Sequence, residues 1–413
     1  MGFKYLRVLK FLINLIWSIP LLLSVYVLKP YKKIKLVKIY SEAFGHFLFE
    51  GTEVFQNYLR KPKKEFYIVY FSNSKRISNQ FWAKIITRNL PVYNNIGWNL
   101  GKLFSIILPS SSHFQESPSI KYQASSTHFF GKSENSNLIP FKFLASENNQ
   151  GLNWLKNHGW QSGDRFVCLI VRDQAYDNSK GRKNKISQVS YRNSPLHDFV
   201  PAINWLTSKN VWVIRMGSVM QSKLETNNLK YIDYSFCDSK SDLLDIWLLS
   251  KCNGIISTGT GPDALGVINK IPILQVGLSP LYGLWSFANT LTVPKNLYSI
   301  ALQKNLNLSE TLDLTWNPSG FPKYCKYATD LNYKELGIKV VNLTSMEIFK
   351  ATREFWLRIE KKWIESENDI ALQSNFWRIF LEHPYYSINH NWKNPDALIG
   401  ADWLRQQGFE FLK

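Results

Sequence analysis

The sequence predicts an α/β protein of two units with parallel sheets, preceded by a hydrophobic segment. Three observations carry that prediction. Short apolar runs alternate with amphipathic stretches over residues 165–276, as strands buried on both faces alternate with covering helices. A shorter alternation of the same kind occupies residues 35–90. Residues 11–28 form an 18-residue stretch without a charge, flanked by Lys4, Arg7 and Lys10 on one side and by Lys29, Lys32, Lys33, Lys35 and Lys38 on the other.

The chain is 413 residues long, which corresponds to roughly two to three domains. At 45% hydrophobic and 15% aromatic residues it can build sizeable cores, which excludes disorder over most of its length. Four cysteines, none in a C-x-x-C pair, exclude a disulfide scaffold and give no support to a zinc ribbon. The net charge is +19, and residues 1–76 hold 14 Lys/Arg against four acids. Such asymmetry suggests nucleic acid or an anionic membrane, and no nucleic-acid motif organises these charges.

The first 32 residues decide for the membrane. Length 18 is at the lower limit for a spanning helix. The exit Tyr26-Val27-Leu28-Lys29-Pro30 lacks the small residues of a signal-peptidase site. Arg7, Lys10, Asn14 and Ser18 share one helical stripe, as in a helix lying in the interface. The expectation is a membrane-associating helix, spanning or interfacial, holding the body at the cytoplasmic face of the inner (plasma) membrane, with residues 60–76 extending the basic surface. A buried core helix is the bland alternative.

From there the elements follow in order. Residues 35–40 read as a strand, 47–59 as a helix, 66–71 as a strand and 81–90 as a helix, forming a first unit over 33–150. Residues 109–150, rich in Ser, Asn and Gly, read as loops and a linker. In a second unit over 151–385, strands are expected at 165–171, 211–214, 230–234, 254–257 and 273–276. Helices are expected at 197–207, 240–251 (capped by Ser239 or Ser241), 262–269, 345–363 and 370–381. A closing segment, 386–413, carries one more helix, expected to return to the first unit.

Chemistry gathers at strand ends. Ile255-Ile256-Ser257-Thr258-Gly259-Thr260-Gly261-Pro262-Asp263 runs from a buried strand through a small, hydroxyl-rich loop into a helix, a pattern that suits a diphosphate. It lacks the lysine of a P-loop, and an ordinary tight turn is the alternative. Arg215 ends an apolar run and is expected in the ligand crevice, the alternative being a structural ion pair. Arg172 and Asp173 end another run, with Arg192 after a polar loop; the pair suits a phosphate and a sugar hydroxyl, the alternative being a mutual ion pair beside a solvated loop. His46, near Glu42 and Glu50, sits where a neutral imidazole could deprotonate an acceptor hydroxyl, although a lone histidine is more often structural. There is no Asp-x-Asp, no G-x-S-x-G and no His/Cys cluster, so no metal or other cofactor is expected.

The ordered set Phe166 to Asp173, Tyr191-Arg192-Asn193-Ser194, Val213 to Gly217, Asp242 to Ile246, Cys252 and Thr258-Gly259-Thr260-Gly261 resembles a family of bacterial glycosyltransferases of surface-carbohydrate biosynthesis. Leu336-Gly337-Ile338, Glu347-Ile348, Ile399-Gly400, Trp403-Leu404-Arg405 and the 41–46 loop extend the resemblance over roughly residues 33–410. Pro262-Asp263 depart from the pattern, which expects further small residues there. The resemblance implies a GT-B-like fold, two Rossmann-like domains with a cleft between them, and a nucleotide-sugar donor. The expected reaction moves a sugar from a nucleoside diphosphate to a lipid-linked glycan without a metal, with His46, Glu50 or Glu42 as base. Arg172, Asp173, Arg192, Arg215, Thr258, Gly259, Thr260, Gly261 and Asp263 are expected around the donor. A nucleotide-sugar epimerase and a non-catalytic glycan-binding protein are the alternatives.

Overall fold

The computed structural model describes residues 33–107, 114–115, 130, 138–179, 190–314, 330–384, 386 and 393–413, with scattered positions between 13 and 31. The chain divides into two compact units, Met1–Ser126 and Thr127–Lys413. The division therefore falls ahead of the expected boundary at 150. Most of the 11–28 segment and the lysines of the 180–189 loop lie outside the described residues. Among those described, no helix is long and apolar enough to cross a membrane.

In the N-terminal unit β1 (Lys33–Ile39) is followed by α1 (Phe44–Leu59), β2 (Glu65–Phe71), α2 (Gln80–Asn89), α3 (Asn94–Ile107) and β3 (Phe114–Gln115). β1 pairs parallel with β2 from Lys33↔Glu65 to Ile39↔Phe71, and with β3 on its other edge. The strands are parallel because a helix carries the chain back between them. Asn79 caps α2 by accepting from the Trp82 amide. α3 is a helix that periodicity alone did not mark. Its Gly97 and Gly101, one turn apart, lie against the Tyr70 ring, where a Cβ at Gly97 would come within 2.6 Å of the tyrosine side chain. Their cost to helix propensity is offset by this close packing over Leu36, Ile68 and Leu100.

The C-terminal unit opens with α4 (Ala145–Asn157), which begins inside the stretch expected to be linker, and β4 (Arg165–Ile170). It continues with α5 (Gln174–Ser179), α6 (Val200–Ser208), β5 (Val211–Arg215), β6 (Tyr231–Ile232), α7 (Asp242–Lys251), β7 (Gly254–Ser257), α8 (Ala264–Asn269), β8 (Ile273–Leu278) and β9 (Thr290–Pro294). An antiparallel trio, β10 (Asn296–Ser299), β11 (Lys304–Asn305) and β12 (Ile338–Val341), is interleaved with α9 (Leu308–Leu314) and α10 (Asp330–Glu335). α11 (Ser345–Ile359), α12 (Glu367–Glu382), β13 (Leu398–Ile399) and α13 (Ala401–Phe411) complete it. Ser241 caps α7, while Ser239 accepts from the Trp154 indole of α4.

The seven-stranded sheet runs β13-β9-β8-β7-β4-β5-β6, parallel throughout. The chain starts in the middle at β4, builds outward to β6, then returns to β7 and builds the other way. The closing segment, expected on the N-terminal unit, instead adds β13 to the edge of β9 and lays α13 on α11 and α12. Buried Glu354 of α11 fixes it by accepting from the Ala401 amide at 2.7 Å. Burial pushes this carboxyl up to about 7, against the pull of Arg358.

Candidate functional site

In an open parallel sheet the ligand crevice lies beyond the carboxyl ends of the strands, where the strand order reverses. Here that point is between β4 and β7. The two strand ends are stitched together: the Arg172 amide donates to Thr258 Oγ1 at 3.0 Å, and the Thr258 amide donates to the Ile170 carbonyl at 3.1 Å. A 3₁₀ turn, Ser190–Arg192, crosses this point. Arg192 Nη2 donates to the Gly259 carbonyl at 2.6 Å, and Arg172 Nε to Asn193 Oδ1 at 3.1 Å.

Lys295, which follows β9, secures the crossing. Its Nζ donates to the carbonyls of Tyr191 and Asn193 and to Asn342 Oδ1, each at 2.7 Å. Two cationic side chains, Arg172 and Lys295, thus reach the Ser190–Ser194 crossing, and a third, Arg192, leaves it for the 257–263 loop. Sequence reasoning marked Arg172 and Arg192 but not Lys295. Its signal, a lysine ending the apolar run before Pro294, is of the same kind as that of Arg172.

The 257–263 loop is internally braced. Gly259 has φ +77, a left-handed conformation that suits glycine, and its amide donates to Ser257 Oγ. The Thr260 amide donates to Asp263 Oδ2 at 2.8 Å and its hydroxyl to Asp263 Oδ1 at 3.0 Å. Asp263, the residue that departs from the family pattern, is therefore the brace of the turn. It is fully buried, which pushes its carboxyl up to about 6 against the hydrogen bonds from Ser257 and Thr260. The amides of Thr258, Gly259 and Thr260 all meet protein acceptors. This corrects the expectation that they stand open to an anion. Gly261 begins the short turn into α8.

Arg215 also departs from expectation. Rather than reaching into the crevice, it is buried to 1% exposure and paired with Asp233 at 3.1 Å, with Asp173 at 3.8 Å and the Ser222 carbonyl at 2.7 Å around it. It lies one strand beyond the switch point, on the β6 side, where Asp233 follows β6. Asp173 spends its oxygens on the Ala175 and Gln221 amides, shaping the turn into α5.

In the N-terminal unit the carboxyl ends of β1 and β2 hold Ser41, Glu42, Ser72 and Asn73. Glu42 Oε1 accepts from Asn73 Nδ2 at 3.0 Å, and the Ser41 amide donates to Ser72 Oγ. His46 and Glu50 follow on α1, one turn apart. Buried Glu50 accepts from the Tyr40 amide at 2.7 Å, and its other oxygen lies 4.0 Å from His46 Nδ1. The imidazole packs edge-on to Tyr40 and is half exposed. Desolvation holds its pKa below the ordinary 6.5, so it is neutral at pH 7. Both carboxylates thus position loops, and the imidazole is the exposed member of the set. Among the described residues no group of three or more His, Cys, Asp or Glu could hold a metal.

No protein-family model matches the chain, and no curated protein matches it. Solved structures similar to it include a glycosyl transferase family 9 protein from Veillonella parvula, at 10% identity and TM-score 0.46, covering 79% of this chain and 98% of that one. An E. coli ADP-heptose LPS heptosyltransferase II covers 62% of this chain and 90% of its own at 12% identity and TM-score 0.37. An E. coli heptosyltransferase solved with ADP covers 63% and 90% at 9% identity and TM-score 0.33. At this level of likeness the functional reading rests on the geometry of the chain itself.

Proposed function

We propose that the chain is a glycosyltransferase that moves a sugar from a nucleoside diphosphate donor to a lipid-linked surface glycan at the cytoplasmic face of the inner membrane. The observation that carries this reading is the β4–β7 switch point, where Arg172, Arg192 and the braced 257–263 loop gather at the place an open parallel sheet offers a nucleotide. Guanidinium groups suit a diphosphate, whose charge grows as the sugar–phosphate bond breaks, and electrostatic stabilisation of that leaving group is the chemistry the site can supply. His46 takes the proton of the attacking acceptor hydroxyl, so that a C–O bond forms to the sugar as the nucleoside diphosphate departs. No metal enters this proposal.

The donor site is tested by thermal unfolding with a panel of nucleoside diphosphates. At a ligand concentration of about one hundred times Kd, a binder stabilises the protein by about 2.7 kcal/mol. At least one diphosphate is expected to raise Tm, and Arg192→Ala to remove most of that shift. A flat response to the whole panel removes the donor site. Turnover of the donor with no acceptor present would favour the epimerase.

A further inference from the structure

We propose that the amino-end pole of the N-terminal unit is a docking face for an anionic lipid bilayer, and that it holds the His46 cluster at the far side of the same sheet. This deepens the membrane reading above, and its consequence for the acceptor rests on the role given to His46.

The argument starts from topology. β1 and β2 begin in register at Lys33 and Glu65, and α1 returns the chain to that same end. The Lys33 amide donates to the Lys64 carbonyl, which fixes the 60–64 connection beside the start of β1. Arg60, Lys61, Lys63, Lys64 and Lys33 therefore collect at one pole. Glu65, the first residue of β2, pairs with Lys35 at 2.8 Å, and Lys61 lies over the Tyr58 ring. The basic stretch that reads as one surface in the sequence, residues 60–76, is thereby split. Lys75 and Arg76 follow β2 and belong to the opposite pole, in the company of Glu42.

Apolar side chains stand among the cations at the amino pole. Tyr31 is 75% exposed, Phe66 45% and Leu59 44%. Tyr31 leads directly into β1, and its amide closes a turn onto the Leu28 carbonyl. Exposed rings and aliphatic groups between lysines and arginines match an interface whose headgroups are anionic and whose next layer is hydrocarbon. Nucleic acid would satisfy the charges but leave Phe66 and Leu59 in water.

The pole sets a distance. Six residue steps at about 3.3 Å each separate Lys33 from Ile39 by about 20 Å. With the amino pole on the headgroups, Glu42 and His46 face away from the bilayer by roughly that length. The acceptor is then a glycolipid already carrying several sugars, whose far end reaches His46, rather than a lipid awaiting its first sugar.

The test is flotation of the full chain with phosphatidylcholine vesicles, with and without phosphatidylglycerol. Lys63→Glu/Lys64→Glu is expected to weaken binding to the anionic vesicles at least about tenfold, since each cation near such a surface contributes about fivefold and two are lost. Lys75→Glu/Arg76→Glu makes the same charge change at the opposite pole and is expected to bind like the parent. Equal losses in both variants, or no loss in either, overturn the docking face. Binding to RNA in preference to anionic vesicles also overturns it. Vesicle binding is read without substrate, and the nucleoside diphosphate shift is read without lipid. The two readings can therefore fail separately, and a parental circular dichroism spectrum and Tm without ligand show that the variants are folded.

Discussion

His46→Ala is expected to lower the rate of sugar transfer by about 10²- to 10⁴-fold, the usual contribution of a positioned general base. The side chain is half exposed, so the variant is expected to fold and to keep the thermal shift with a nucleoside diphosphate, whose proposed site lies in the other unit. The loss should appear in kcat, with donor KM little changed. The pH profile supplies a second check. Transfer needs the neutral imidazole, and desolvation holds the His46 pKa below 6.5, so kcat/KM of the parent rises with pH through an inflection below that value and is flat at pH 7 and above. The same shift gives the imidazole's contribution to stability its sign. The folded pKa is depressed, so the unfolded chain binds the proton more readily, and stability present above about 6.5 is lost as pH falls through the folded value. A His46→Ala protein with full turnover, or a profile with no inflection there, removes the base assignment.

Arg215→Met is expected to cost about 3–5 kcal/mol, because it leaves Asp233 as a buried carboxylate without its cation. Both side chains are almost fully buried, at 1% and 2% exposure, so solvent screens the pair little. At about 2–4 °C per kcal/mol for a unit of this size, Tm falls by about 10 °C. Donor affinity, measured below the new Tm, is expected to be unchanged, because Arg215 lies beyond the switch point. The double variant Arg215→Met/Asp233→Leu should recover part of the loss by removing the orphaned charge as well. A stable Arg215→Met protein that has lost nucleoside diphosphate binding would return Arg215 to the donor.

These two residues mark where the sequence is legible. His46, Glu42 and Glu50 come together because they sit within nine positions at the end of one strand and the start of one helix, and local periodicity is enough to group them. Arg172, Arg192 and the 258–263 loop were likewise readable as strand-end and loop features, and the sheet order explains why they meet. Arg215 carries the same sequence signal as Arg172, a cation closing an apolar run. Its partner Asp233 lies 18 residues on, and only the placement of β6 beside β5 turns one arginine into a structural cation while the other borders the crevice.

The sequence by itself determined the alternation of strands and helices, the parallel character of the main sheet in each unit, and the residue types at their carboxyl ends. These follow from burial period and turn chemistry, which act over a few residues. The tertiary structure decided what depends on distant chain. Gly97 and Gly101 lie in a helix the sequence pattern did not mark, and what favours them there is Tyr70 packed against them. Lys295 shares the strand-end signal of Arg172, and only the 190–194 crossing shows what it holds. Residues 60–76 read as one basic run until β2 carries its two ends to opposite poles. Residues 397–411 read as a helix returning to the first unit until Leu398–Ile399 pair with β9 and Glu354 caps α13. In each case the deciding contact joins residues separated by more than one element, and local pattern holds no record of it.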